Sequence, residues 1–244
     1  MKFYCKMIKS VLMLSCFSVL LVLFTEISAK AQILPPDVGL VTQLSGEATY
    51  WNEGYQKTPG KVLVFMKIRS GDHFKLSQGS TIQLVYFQNG RQETWKGPGA
   101  FMVGDVQSKV EGDKLVQPEV VTLPSDASQG MRRIPVLLRR ARLSRSGGMQ
   151  IRGSGEASQK PMIPSKEEKA EIAMAKETYQ KLRKQTKPDD ITPELNLLGI
   201  LADYEQYEEM EKVIKDALEI QPGNQVLKEL EEWVRTQRSQ PVKK

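Results

Sequence analysis

Seven arginines, Arg132, Arg133, Arg139, Arg140, Arg142, Arg145 and Arg152, fall within twenty-one residues. A guanidinium offers its N–H donors as a planar fork that matches carboxylate and phosphate oxygens, so the cluster is a candidate contact for an anionic surface or an acidic partner. The segment also reads as a solvated linker resting one apolar side on a neighbouring domain, and the sequence leaves both readings open. For catalysis there is no comparable constellation. The single histidine, His73, has no clustered partner in sequence, and Asp72 beside it is assigned to turn formation. No nucleophile elbow, phosphate-binding loop, metal-binding helix or paired-carboxylate motif occurs. No enzyme activity, cofactor or metal site is expected.

The 244 residues carry a net charge of +6, unevenly placed: +3 for residues 1–31, −1 for 32–130, +7 for 131–164 and −3 for 165–244. Basicity therefore belongs to the leader and to the arginine segment, not to the whole surface. With no aromatic interleaving among the arginines, nucleic acid is not an expected partner. Lys2, Lys6 and Lys9 precede an apolar run from Val11 to Phe24, and Ala29-Lys30-Ala31 then fits a signal-peptidase site before Gln32. Residues 1–31 are read as a cleaved signal peptide, an uncleaved anchor being the alternative; after cleavage no transmembrane anchor is expected. Both cysteines, Cys5 and Cys16, lie in this leader. The mature chain would hold itself together without disulfides, in a bacterial periplasm or secreted.

The elements that must position the arginines follow from turn chemistry and periodicity. Strands are expected from Val38 to Leu44, through Ala48, Tyr50 and Trp51, across "KVLVFMKI" (61–68), from Thr81 to Phe87 with Ile82, Leu84 and Tyr86 on one face, from Arg91 to Lys96, and from Phe101. Turns at Ser45-Gly46, Ser70-Gly71-Asp72 and Gln78-Gly79-Ser80 separate them, and Asn89-Gly90 signals a two-residue type I′ hairpin. "VQPEVVTLP" adds one more strand. The spacing predicts an antiparallel β-sandwich or barrel over 32–130. In the Arg-rich linker or extension, 131–164, a short amphipathic helix is expected after Pro135, with Leu137, Leu138, Ala141 and Leu143 on its apolar side, and "GGMQIRG" (147–153) reads as a strand edge. Over 165–240 four helices are expected: one opened by a Ser165/Glu168 capping box and running to about Gln185, one capped by Thr192 with Pro193 first, one over Tyr207–Ile220 stopped by Pro222-Gly223, and one holding Val226, Leu227, Leu230, Trp233 and Val234.

Two stretches carry resemblances. "VTQLSGEATY", "IRSGDHFKLSQGSTIQLVYFQNG" and "WKGPGAFMVG" resemble the FecR-type periplasmic domain over about 39–105. Signalling members of that family place this domain after a cytoplasmic anti-sigma segment and one membrane helix, where it receives a periplasmic signal. Here only ten residues precede the apolar run, so the resemblance implies a periplasmic binding role without direct action on a sigma factor. "LLGILADYEQYEEMEKVIKDALEIQPGN" resembles a tetratricopeptide repeat over about 192–225 through Leu198, Gly199, Tyr207, Ala217 and Pro222, with Met210 where alanine is usual and an interhelical turn one residue short. The resemblances together imply an α+β chain of two binding modules: a FecR-like β domain and helical tetratricopeptide-like hairpins. The leading expectation is a signalling-associated envelope adaptor contacting a protein partner. The alternative is a cell-wall or glycan-binding structural module using Tyr50, Trp51 and Trp95.

Overall fold

The turn from Phe87 to Gly90 shows how local chemistry builds the first layers. Strands β6 (Thr81–Tyr86) and β7 (Arg91–Lys96) pair antiparallel on either side of it, from Thr81 opposite Lys96 to Val85 opposite Gln92. The hairpin is where the sequence puts it, but the loop has four residues and only Gly90 takes a positive φ, 64°, so it is not a type I′ turn. Asn89 instead accepts from the Arg91 N–H at 3.1 Å. A Cβ on Gly90 would also stand 2.6 Å from the Leu123 carbonyl oxygen. Gly90→Val should therefore cost about 1–3 kcal/mol, read as a lower denaturation midpoint; an unchanged midpoint would remove this turn from the account.

The computed structural model describes residues 34–112, 116–124, 127–145 and 164–239. The chain divides into two units, residues 1–34 and 35–244, and the leader reading falls outside the described residues. No helix among those residues is long and apolar enough to cross a membrane. The second unit has mixed α and β structure with two antiparallel five-stranded sheets. The first is ordered β10 (Glu119–Thr122), β7, β6, β1 (Asp37–Ser45), β4 (Lys67–Arg69). The second is ordered β3 (Gln56–Lys61), β2 (Ala48–Asn52), β5 (His73–Leu76), β8 (Gly99–Val103), β9 (Ser108–Glu111). They form a sandwich and not a closed barrel. Its interior holds Ile82, Leu84 and Tyr86 with Phe74, Phe101 and Trp95.

Helices cover the other face of the first sheet. They are α1 (Ala127–Arg145), α2 (Lys166–Gln185), α3 (Thr192–Asp203), α4 (Tyr207–Ile220) and α5 (Gln225–Ser239). Leu40, Val85 and Phe87 share one apolar cluster with Met131, Ile134, Leu195 and Leu201. The first sheet is therefore buried on both faces, as period-2 alternation with apolar residues at both parities allows. The expected boundary at 130/131 falls inside α1, and residues 131–145 of the expected linker belong to that helix.

Two local expectations change. "KVLVFMKI" is not one strand: Val62 to Met66 forms a turn between β3 and β4 in which Phe65 takes φ 64°. The turn hangs on β1, with Val41 N–H donating to the Met66 carbonyl (2.9 Å) and Phe65 N–H to that of Val41 (2.8 Å). It sends Val62 into the sandwich and Phe65 into the helical cluster, which satisfies both apolar faces without a continuous strand. Thr192 is the first residue of α3 and not its cap; Asp190 Oδ1 accepts its N–H at 2.9 Å. The Ser165/Glu168 capping box is present on α2, and α4 spans the expected residues.

Candidate functional site

Helix α1 divides its residues by angle. Met131, Ile134, Leu137, Leu138 and Ala141 are buried at three- and four-residue spacing, while Arg132, Val136, Arg139, Arg140, Arg142 and Leu143 point outward. The helix, expected after Pro135, already begins at Ala127 and contains Pro135. Leu143, expected on the buried side, is 46% exposed.

The arginines separate into two groups. Arg132 donates to the Phe87 carbonyl at 3.1 Å and lies over the Phe87 ring. Arg133 holds Glu171 at 3.3 Å and Asp203 at 2.9 Å, tying α1 to α2 and α3. Tyr204 donates to the same Glu171, and that hydrogen bond, with Arg133 second, pulls the Glu171 carboxyl below its usual range. These two arginines are bound into the fold. Arg139, Arg140 and Arg142 are exposed, and no carboxylate among the described residues forms an ion pair with them. Arg145 is the last residue of α1, and Arg152 and the "GGMQIRG" segment lie outside the described residues.

Beside the unpaired group runs an open groove of about 490 Å³. One wall is the Leu63–Lys67 segment; the other is the α1 face with Pro135, Leu138, Arg139, Arg142 and Leu143. Lys67 is engaged with Asp37, so the free positive charge on this surface belongs to the arginines. Sequence reasoning missed Leu63, Val136 and Leu143. The signal was present: Val136, Arg140 and Leu143 stand at i, i+4, i+7, one helical face.

The other candidates resolve into structure. The chain matches no family model and no curated protein. In the residues of the tetratricopeptide resemblance, α3 is buried from Thr192 to Ala202 and its face is occupied by α1. Gly199 approaches Gly130 of α1: a Cβ on Gly199 would stand 1.9 Å from the Gly130 carbonyl oxygen. Leu198 and Ala217 are buried, Tyr207 meets Trp233 edge-on at 5.9 Å, and Pro222 is exposed at the α4–α5 turn. Trp95, which the glycan alternative needs at the surface and whose side of the sheet the alternation leaves open, is 2% exposed and stacks on Phe101 at 4.4 Å. Tyr50 packs against Phe74, and one face of Trp51 is covered by His73, whose Nδ1 lies 2.8 Å from Glu111.

Buried carboxylates are held by structural donors. Asp72 accepts from Asn52, Tyr55 and the Arg69 N–H; Glu93 from Arg91, Trp95 and the Ser108 N–H; Asp190 from Gln83, Gln92 and the Thr192 N–H. Both oxygens of Glu194 accept from Arg183 Nη1, at 3.0 and 2.9 Å, although burial still pushes its carboxyl up.

Proposed function

We propose that this chain is an exported bacterial envelope protein that works by binding, an adaptor whose contact surface is the basic face of α1 and the groove beside it. The observation that carries this reading is the separation of the arginines: two are consumed by the fold, and three have no carboxylate partner among the described residues and stand next to an apolar groove. An exposed guanidinium contributes little to stability, whereas several of one sign create a field that an anionic partner feels. The order of turns over 39–105 supports a FecR-type β region, and with it a signalling-associated role in the periplasm. The residues of 192–225 support a tetratricopeptide-type hairpin, one whose partner-facing side is taken by α1 of the same chain. The saturated buried carboxylates favour binding over turnover. The protein-binding reading is preferred to the glycan reading because Trp95 is in the core and one face of Trp51 is covered by His73.

The test compares the exported protein with a variant in which Arg139, Arg140 and Arg142 are all Gln, by capture on cross-linked envelope. The mature chain should begin at Gln32. The variant should keep the parent's circular dichroism and melting temperature and lose most of the capture, and parent capture should weaken as the Debye length falls from about 10 Å at 0.1 M salt to about 3 Å at 1 M. Equal capture by the two proteins at low salt would sink the reading.

A further inference from the structure

The groove rim combines two features that a soluble surface ordinarily keeps apart. Leu63 is 55% exposed, Val136 49% and Leu143 46%. Leu63 and Leu143 line the groove together with Arg139 and Arg142, and Val136 stands one turn before Arg140 on α1. Apolar tips projecting among arginines are the pattern of a surface that sits at a membrane interface, the tips in the acyl boundary and the forks on phosphate.

We propose that this face docks on an anionic phospholipid surface, with Leu63, Val136 and Leu143 inserting at the headgroup boundary and Arg139, Arg140 and Arg142 holding lipid phosphates. The inference rests on the binding face proposed above and names what covers it. Charge distribution favours lipid over a folded acidic partner. Among the described residues no carboxylate lines the groove, whereas protein interfaces set their register with charges of both signs. A field of one sign suits a laterally uniform anionic surface, which asks for no register. The apolar residues are at the rim and not sunk in a pocket, whereas a peptide partner's anchors would need a desolvated pocket to fill.

The probe is a vesicle. The exported protein is sedimented with vesicles of phosphatidylcholine plus phosphatidylglycerol and, separately, of phosphatidylcholine alone. Strong partitioning is expected on the anionic vesicles only, lost at high salt. Replacing Arg139, Arg140 and Arg142 with Gln should lower it on the order of 100-fold, at about five-fold for each arginine, and replacing all three with Lys should restore much of it. A second variant, Leu63→Ser with Val136→Ser, changes side chains outside the core and should lower partitioning without altering charge. Equal binding to both vesicle types, or undiminished binding by the folded Gln variant or by the Ser variant, overturns the proposal. Absent vesicle binding with arginine-dependent capture of an envelope protein overturns the lipid assignment and keeps the binding face. Unchanged capture and unchanged partitioning by the Gln variant overturn both.

Discussion

Gly130→Ala should destabilise the protein by about 2–4 kcal/mol, the opposite of what helix propensity alone dictates. Alanine in a helix interior is favoured over glycine by roughly 1 kcal/mol. At Gly130, however, a Cβ would stand 1.9 Å from the Asn196 carbonyl oxygen and 2.6 Å from its Oδ1, which already accepts the Gly130 N–H at 3.1 Å. The obstacle is backbone, which no rotamer change can clear. The two helices must separate, and α3 is buried on all sides, so the displacement is transmitted to its neighbours. Gly199→Ala meets the Gly130 carbonyl at the same distance and should cost a similar amount. Because both changes open one crossing, the double variant should cost less than the sum. For a chain of this size the single changes correspond to a fall of roughly 5–15 °C in melting temperature. Gly223→Ala, where a Cβ meets nothing within 4 Å, is the control. A raised melting temperature for Gly130→Ala would mean that α1 and α3 do not cross there.

Asp72→Ala should cost about 3–5 kcal/mol. The Asp72 side chain is fully buried and joins three segments: Asn52 Nδ2 donates to it at 2.9 Å, the Tyr55 hydroxyl at 2.5 Å and the Arg69 N–H at 2.8 Å. Removing the acceptor leaves these donors short of partners, and each buried orphan costs about 1–3 kcal/mol where water cannot replace the bond. A titration separates this from a simple cavity. Burial first, and the Asp72 hydrogen bond second, raise the Tyr55 phenol from 10.0 to about 12. The stability associated with neutral Tyr55 is fully present below about pH 10 and is lost as pH rises toward about 12. The parent should therefore weaken across that window. In Asp72→Ala the Tyr55 absorbance change should move toward lower pH, and a Tyr55 titration identical in both proteins would contradict the assigned contact.

Features made by neighbours in sequence were legible in it. The β6–β7 hairpin, the alternation of Ile82, Leu84 and Tyr86, the Ser165/Glu168 capping box and the end of α4 before Pro222-Gly223 each depend on a few consecutive residues whose backbone preferences or side-chain reach settle the matter locally. Asp72 was assigned to a turn, and the turn is there, but its clasp of Asn52 and Tyr55 crosses twenty and seventeen residues and has no local signature.

Tertiary structure decided what lies opposite each surface. "KVLVFMKI" has apolar residues at both parities, a pattern equally satisfied by a buried strand or by a turn feeding two cores; β1, through Val41, selects the turn. Trp95 alternates with polar neighbours, which leaves its side of the sheet open until Phe101 stacks on it. Gly199 announces a close approach without naming the partner, and that partner is Gly130, sixty-nine residues earlier. The seven arginines are alike in type and near in sequence, and only the positions of Phe87, Glu171 and Asp203 decide that Arg132 and Arg133 are tied into the fold while Arg139, Arg140 and Arg142 keep their charge for solvent. The physical reason is common to these cases: a side chain's intrinsic chemistry is a property of the residue, but whether its donors are spent depends on which distant groups the packed layers bring within about 3 Å.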